Sequence, residues 1–170
     1  MEKIERGRKV PSFYRKMLRN IIEIELANCL KNREDLFLID LDIALDNSVK
    51  IIIDGDRGVS VDDCMYVSRS IKHSIDRDEY DFSLEVSSSG ALTPLSSIRQ
   101  YMKNIGRTLF VRTTNDINYE AKLIDADSNQ ISLFWKQREK KPIGKGKITV
   151  EKKIDLLYKD IIEAKVKIKH

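Results

Sequence analysis

Histidine, cysteine, proline and tryptophan are scarce in this sequence, and each shortage removes a class of function. There are two histidines, two cysteines, three prolines and one tryptophan in 170 residues. His73 falls in a helical pattern and His170 is the final residue. Neither has a Ser, Cys or Asp partner at a spacing typical of nucleophilic catalysis. The serines of Ser87-Ser88-Ser89-Gly90 lack the G-x-S-x-G elbow. The expectation is a protein that is not an enzyme. Cys29 and Cys64 stand alone, without a C-x-x-C or paired histidines, so no metal site and no cofactor is expected. Asp54-Gly55-Asp56-Arg57-Gly58 has a superficial likeness to a calcium loop. It has Val59 where the sharp-turn glycine belongs and Met65 where the bidentate acid belongs. Long apolar runs are missing too: none approaches the roughly 18 residues of a membrane span. Met1 to Val10 is charged throughout and does not read as a secretory signal. These absences predict a cytoplasmic, membrane-free protein with reduced thiols.

What is present is enough for a folded core: 41% hydrophobic and 34% charged residues. The net charge is only +4, but it is unevenly spread. Residues 1–35 carry 9 basic and 6 acidic side chains, residues 36–91 carry 5 and 12, and residues 92–170 carry 17 and 9. An acidic middle before a basic C-terminal half points to two units, the second suited to a polyanion.

The hydrophobic period gives the elements. Tyr14, Met17, Leu18, Ile21, Ile22, Leu26, Cys29 and Leu30 recur at helical spacing over Pro11 to Lys31. The period then changes to two. Phe37, Ile39, Leu41, Ile43 and Leu45 fall on one face of a strand and Asp40 and Asp42 on the other. After the turn Asp46-Asn47-Ser48, Val49, Ile51 and Ile53 make a hairpin partner. Ser60 and Asp63 read as a capping box. The helix they open has Val61, Cys64, Met65, Val67, Ile71 and Ile75 on its inner side. Phe82, Leu84 and Val86 form a third strand. The first domain, residues 1–91, is therefore αββαβ, with two helices on one face of a three-stranded sheet. Ser87 to Pro94 marks the boundary. In residues 92–170, Leu95, Ile98, Met102 and Ile105 predict a short helix closed by Gly106. Five short strands follow, near 107–114, 119–126, 130–136, 147–154 and 161–168, and predict a small closed or partly closed barrel. The fold class is α+β.

Two polar constellations remain. Gly55-Asp56-Arg57-Gly58 is a G-x-x-G before a helix, the kind of loop that clamps a nucleic-acid backbone in KH modules, with Arg57 as the phosphate contact. Asp54, Asp56, Asp62 and Asp63 crowd the same place and favour the plainer reading of a turn and a helix cap. The sharper feature is Lys136 to Lys147. Lys136, Arg138, Lys140, Lys141, Lys145 and Lys147 stand there against Glu139 alone. Pro142, Gly144 and Gly146 predict a mobile basic loop between two barrel strands, able to neutralise phosphates. Phe134 or Trp135, just before it, offers one ring for base stacking, since alternation sends the other inward.

The segment VKIIIDGDRGVSVDDCMYVSRSIKHSID, followed by FSLEVSSSGALTPL, resembles the bacterial ribosome maturation factor RimP family. The likeness rests on a strand ending at Asp54, the loop through Gly58, and Val61-Asp62-Asp63-Cys64 opening a helix. It continues through Val67-Ser68, Leu84-Glu85-Val86-Ser87-Ser88, Gly90, Pro94 and Leu95, and Gly106-Arg107. It covers residues 36–168 in consistent order. The family has proline where Ser89 stands and Leu-Asp-Arg where Ala91, Leu92 and Thr93 stand. Residues 1–13 have no counterpart. The resemblance implies a KH-like α/β domain followed by an Sm/SH3-like barrel. It implies a monomeric, non-catalytic factor for maturation of the small (30S) subunit, binding immature small-subunit rRNA and small-subunit ribosomal protein twelve. In that reading the basic loop touches RNA, and Asp40 and Asp42 face a basic ribosomal protein. The rivals are a general RNA-binding regulator with an Sm-like barrel and an SH3-like protein-interaction adaptor.

Overall fold

The computed structural model describes residues 11–169. The readings made for residues 1–10 and for His170 lie outside the described residues. The chain divides into two compact units, one ending at Ser89 and the next beginning at Gly90. No described helix is long and apolar enough to cross a membrane.

The first unit runs α1 (Ser12–Lys31), β1 (Leu36–Ile43), β2 (Ser48–Gly55), α2 (Val61–Ser74) and β3 (Ser83–Ser88). Helix α1 forms because Leu18, Ile22, Leu26 and Cys29 recur every three or four residues, and all four are buried. Met17, expected on that stripe, is instead exposed. Strands β1 and β2 pair antiparallel across a tight turn, where Asn47 supplies the left-handed conformation. Strands β2 and β3 pair parallel, which requires the α2 crossover between them. The strand order is β1-β2-β3. Helices α1 and α2 contribute to one core with Ile51, Ile53, Val49, Leu41 and Ile43 from the sheet. Burying side chains of this size stabilises the fold by roughly 1.5–3 kcal/mol each.

Three details depart from simple periodicity. A β-bulge between Leu38 and Asp40 breaks the alternation at Ile39, so the inward set restarts at Leu41. Leu45 lies in the turn and is exposed. On α2, Val67 and Ile71 are buried, whereas Val61 and Met65 are exposed. At 100° per residue Val61 and Met65 lie about 100° and 140° from the centre of the Val67–Ile71 stripe, so they fall on the outer side of the helix.

The second unit runs α3 (Ile98–Lys103), β4 (Thr108–Thr113), β5 (Asn118–Ala126), β6 (Gln130–Lys140), β7 (Lys147–Leu157), a 3-10 turn (Tyr158–Asp160) and β8 (Ile161–Val166). The sheet is antiparallel throughout, with order β7-β6-β5-β4-β8. Leu109, Val111, Leu123, Ile131, Leu133 and Ala164 form its core. Among the described residues β7 and β8, the two ends of this order, are not paired with each other, so of the closed or partly closed barrel expected from strand spacing the closed form is not found.

The short helix α3 buries Gln100 and Tyr101, while Ile98, Met102 and Ile105 are exposed. The expected apolar stripe is thus on the wrong face. The reason is polar. Gln100 Oε1 accepts from the Ser96 and Ser97 amides at 2.9 and 3.2 Å, and Asn104 Nδ2 donates to the Gln100 carbonyl at 2.7 Å. These buried hydrogen bonds fix which side of the helix faces in.

Candidate nucleic-acid interface

The segment expected to be a basic loop is mostly strand. Residue pairs Lys136↔Glu151, Gln137↔Val150, Arg138↔Thr149, Glu139↔Ile148 and Lys140↔Lys147 continue the β6–β7 ladder to its end. Only residues 141–146 form the turn. Pro142, Gly144 and Gly146 were the signals for irregularity, and all three fall inside that turn. Gly144 and Gly146 take positive φ angles of 91° and 107°, and the Lys141 amide donates to the Gly146 carbonyl at 3.1 Å.

This ladder extends beyond its neighbour. The β5–β6 register ends at Lys122↔Phe134, so from Lys136 onward β6 pairs only with β7. The result is a two-stranded arm. Five residues per strand at strand rise give it a reach of about 17 Å before the turn. Its base is anchored by Trp135, whose ring lies 5.4 Å from that of Tyr119 and packs on the core edge. Alternation places Phe134 on the other face. Ion pairs lace the arm: Lys152 to Glu139 at 2.9 Å and Lys136 to Glu151 at 3.7 Å. Arg138 donates to the Lys147 carbonyl at 3.4 Å. Beyond those ties, Lys140, Lys141, Lys145 and Lys147 make no ion pair among the described residues. Lys140 and Lys147 sit directly opposite one another, a like-charge pair that an intramolecular fold gains nothing from. At the tip Ile143 is 90% exposed.

The loop at the other candidate, Gly55 to Gly58, is built for tight turning. A Cβ at Gly55 would lie 2.4 Å from the Gly58 carbonyl oxygen, and Gly58 has φ +89°. Ser60 and Asp63 form the expected capping box: the Asp63 amide donates to Ser60 Oγ at 3.2 Å and the Ser60 amide to Asp63 Oδ2 at 2.8 Å. Sequence reading missed the third member. Arg33 donates to both oxygens of Asp35, at 2.9 and 2.8 Å, and to Asp63 Oδ1 at 2.8 Å. The Ser60 amide first, and Arg33 second, hold the Asp63 carboxyl below the usual carboxylate range. Arg33 does the same to Asp35. The α2 N-terminus is thereby occupied by its own side chains. Arg57 lies exposed in this loop. Asp40 and Asp42 lie exposed on β1, opposite Ile52 and Lys50, on the sheet face away from the two helices.

Elsewhere, α1 and α2 flank a groove of about 710 Å³ lined by Asn28, Cys29, Asp62, Tyr66, Arg69 and His73 among others. Cys29 and Cys64 are both free thiols, and burial pushes the Cys64 thiol up. Among the described residues no group of three or more His, Cys, Asp or Glu is placed to hold a metal ion.

An α/β unit with a self-capped helix, followed by an antiparallel sheet carrying a basic arm, defines a two-unit α+β protein that presents charged surfaces of opposite sign. Residues 30–92 match the family model described as the RimP N-terminal domain. A ribosome maturation factor RimP from Christiangramia forsetii is 56% identical over 152 residues, covering 89% of this chain and 99% of the relative. One from Flavobacterium psychrophilum is 46% identical over 139 residues, covering 82% and 90%. One from Porphyromonas gingivalis is 31% identical over 130 residues, covering 76% and 86%. The chain belongs to the ribosome maturation factor RimP family.

Proposed function

We propose that this protein acts, without catalysis, in maturation of the small (30S) ribosomal subunit. In this reading it is a cytoplasmic monomer that binds the immature subunit and leaves when assembly has advanced. The observation that carries the proposal is the 56% identity, over nearly the whole length of both chains, to a protein named as a ribosome maturation factor. The arm supplies a physical means. Lys140, Lys141, Lys145 and Lys147 at its end are exposed and make no ion pair among the described residues, so phosphates of small-subunit rRNA can reach them with release of counterions. Asp40 and Asp42, on the open face of the first sheet, provide the opposite charge for a basic partner such as small-subunit ribosomal protein twelve. Arg57 is a second, weaker candidate for RNA. The open sheet of the second unit, with a 3-10 turn returning β8 to pair with β4, is read as a partly open Sm/SH3-like barrel.

Co-sedimentation with isolated ribosomal subunits across a salt series tests this. Retention on free small subunits, with none on large subunits or joined ribosomes, is the expected result. Equal retention on all three at low salt would replace the proposal with general RNA binding. Salt-insensitive binding to a protein alone would replace it with an adaptor role.

A further inference from the structure

We propose that the tip of the β6–β7 arm is a wedge: Ile143 inserts into a poorly stacked step of RNA, at a bulge or helix junction, while the flanking lysines hold the phosphates on either side. The inference rests on the RNA-binding reading above and names the feature within RNA that the site takes.

Four observations converge on it. First, the chain places an isoleucine in the turn that closes the arm, 90% exposed, where water contact is unfavourable for such a side chain. Second, its surroundings are purely cationic. Residues 140–147 hold four lysines and no acid, so an apolar partner protein patch would meet uncompensated positive charge, whereas a nucleic acid supplies both the apolar ring faces and the phosphates. Third, the arm is stiffened behind the tip. The ladder continues to Lys140↔Lys147, the 2.9 Å Lys152–Glu139 pair ties its strands, and the Lys141–Gly146 hydrogen bond closes the turn. Less of the cost of insertion is then spent on ordering the chain. Fourth, Pro142 precedes Ile143 and lacks an amide hydrogen, and Gly144 follows it in a left-handed conformation. The pair brings the isoleucine to the apex of the turn with little backbone N–H competing for the space.

The chemistry selects the ligand. A side chain that enters a base stack must offset the loss of stacking, as apolar wedges do in the duplexes they bend. That cost is least where a base is already unpaired, and single-stranded loops and bulges are where RNA exposes its bases to proteins. A regular A-form helix presents a deep, narrow major groove that an arm of two strands does not enter.

The test uses the full chain and two short RNA stems, one fully paired and one with a single-nucleotide bulge, each carrying 2-aminopurine at the same step. Because Ile143 touches almost nothing, I143S leaves the fold intact, which the thermal transition of the variant checks. The expected result is a rise in 2-aminopurine fluorescence with the bulged stem and wild-type protein. I143S should abolish that rise and bind the bulged stem at least fivefold more weakly, with the salt slope unchanged. I143M should retain the rise. Equal fluorescence and affinity for wild type and I143S would overturn the wedge. So would a loss by I143S that is as large on the paired stem. Weakened binding to small subunits with no change on naked RNA would mean that the tip seats against protein, and would also overturn it. Failure of the ribosomal reading appears separately, as absence of small-subunit preference for wild type and variant alike.

Discussion

Neutralising the end of the arm should change how binding responds to salt far more than it changes the fold. Lys140, Lys141, Lys145 and Lys147 lie beyond the last ion pair of the arm, are exposed, and contact no core residue. Replacing all four with glutamine keeps the β-ladder and the glycines of the turn. It also relieves the Lys140–Lys147 opposition, so stability should stay within about 0.5 kcal/mol of the parent. Binding is another matter. Each phosphate contact contributes roughly 0.7 to 0.9 to the slope of log affinity against log salt. If all four lysines reach phosphates, the slope should fall by about 3. Between 50 and 200 mM salt that difference amounts to roughly 60-fold in affinity change. The assay is retention on small subunits at four or five salt concentrations in that range. Lys31→Gln with Lys72→Gln, exposed lysines of the first unit, is the matched control and should leave the slope alone. A quadruple variant whose slope lies within about 0.5 of the parent's, or a control that flattens it as much, would refute the arm as the electrostatic contact.

Other outcomes follow from the packing. Trp135 is the single tryptophan and belongs to the second unit, so its fluorescence reports that unit's unfolding. Leu123→Ala, at a fully buried position, should lower the urea-unfolding stability read there by about 2–5 kcal/mol, and an unchanged midpoint would contradict the core assignment. Gly55→Ala should destabilise the first unit by about 1–3 kcal/mol, because its Cβ meets the Gly58 carbonyl. Circular dichroism in urea would show this, and a neutral result would mean that the loop relaxes freely. The carboxyls of Asp35 and Asp63 are held below their ordinary values. The stability they contribute is therefore complete above the unfolded carboxylate range, near 4, and is lost as pH falls through the lower folded values. Arg33→Met should flatten that acid loss without abolishing it, since the Ser60 amide still holds Asp63. An acid-unfolding profile parallel to the parent's would argue against Arg33 as a cause.

Local chemistry was legible in the residue order, and pairing between distant residues was not. The turn at Asn47, the capping box of Ser60 and Asp63, and the strands around Val49–Ile53 and Leu109–Val111 follow from periods and residue types within a few positions. Arg33 does not, because its partner Asp63 lies 30 residues away and only the fold brings them together. The same limit explains the arm. Residues 136–140 look like loop on composition, and they become strand because residues 147–151 pair with them. Helix α3 failed in a different way: Gln100 is buried for its hydrogen bonds, which a hydropathy pattern scores as exposure. Ile143, an apolar residue between proline and glycine inside a lysine run, was visible in the sequence and carried a signal that periodicity has no means to weigh.

The position of β8 governs how the second unit comes together. It pairs with β4, about fifty residues earlier in the chain. The four hairpin-connected strands β4 to β7 can zip up locally, but the sheet's far side waits for a closure between segments distant in the chain. Contacts of that separation slow folding, since chain entropy is lost before the pairing returns any stability. Until it happens, β4 presents a bare row of amides and carbonyls beside Phe110, and a chain cut before Ile161 would keep that edge open permanently, as a site for self-association.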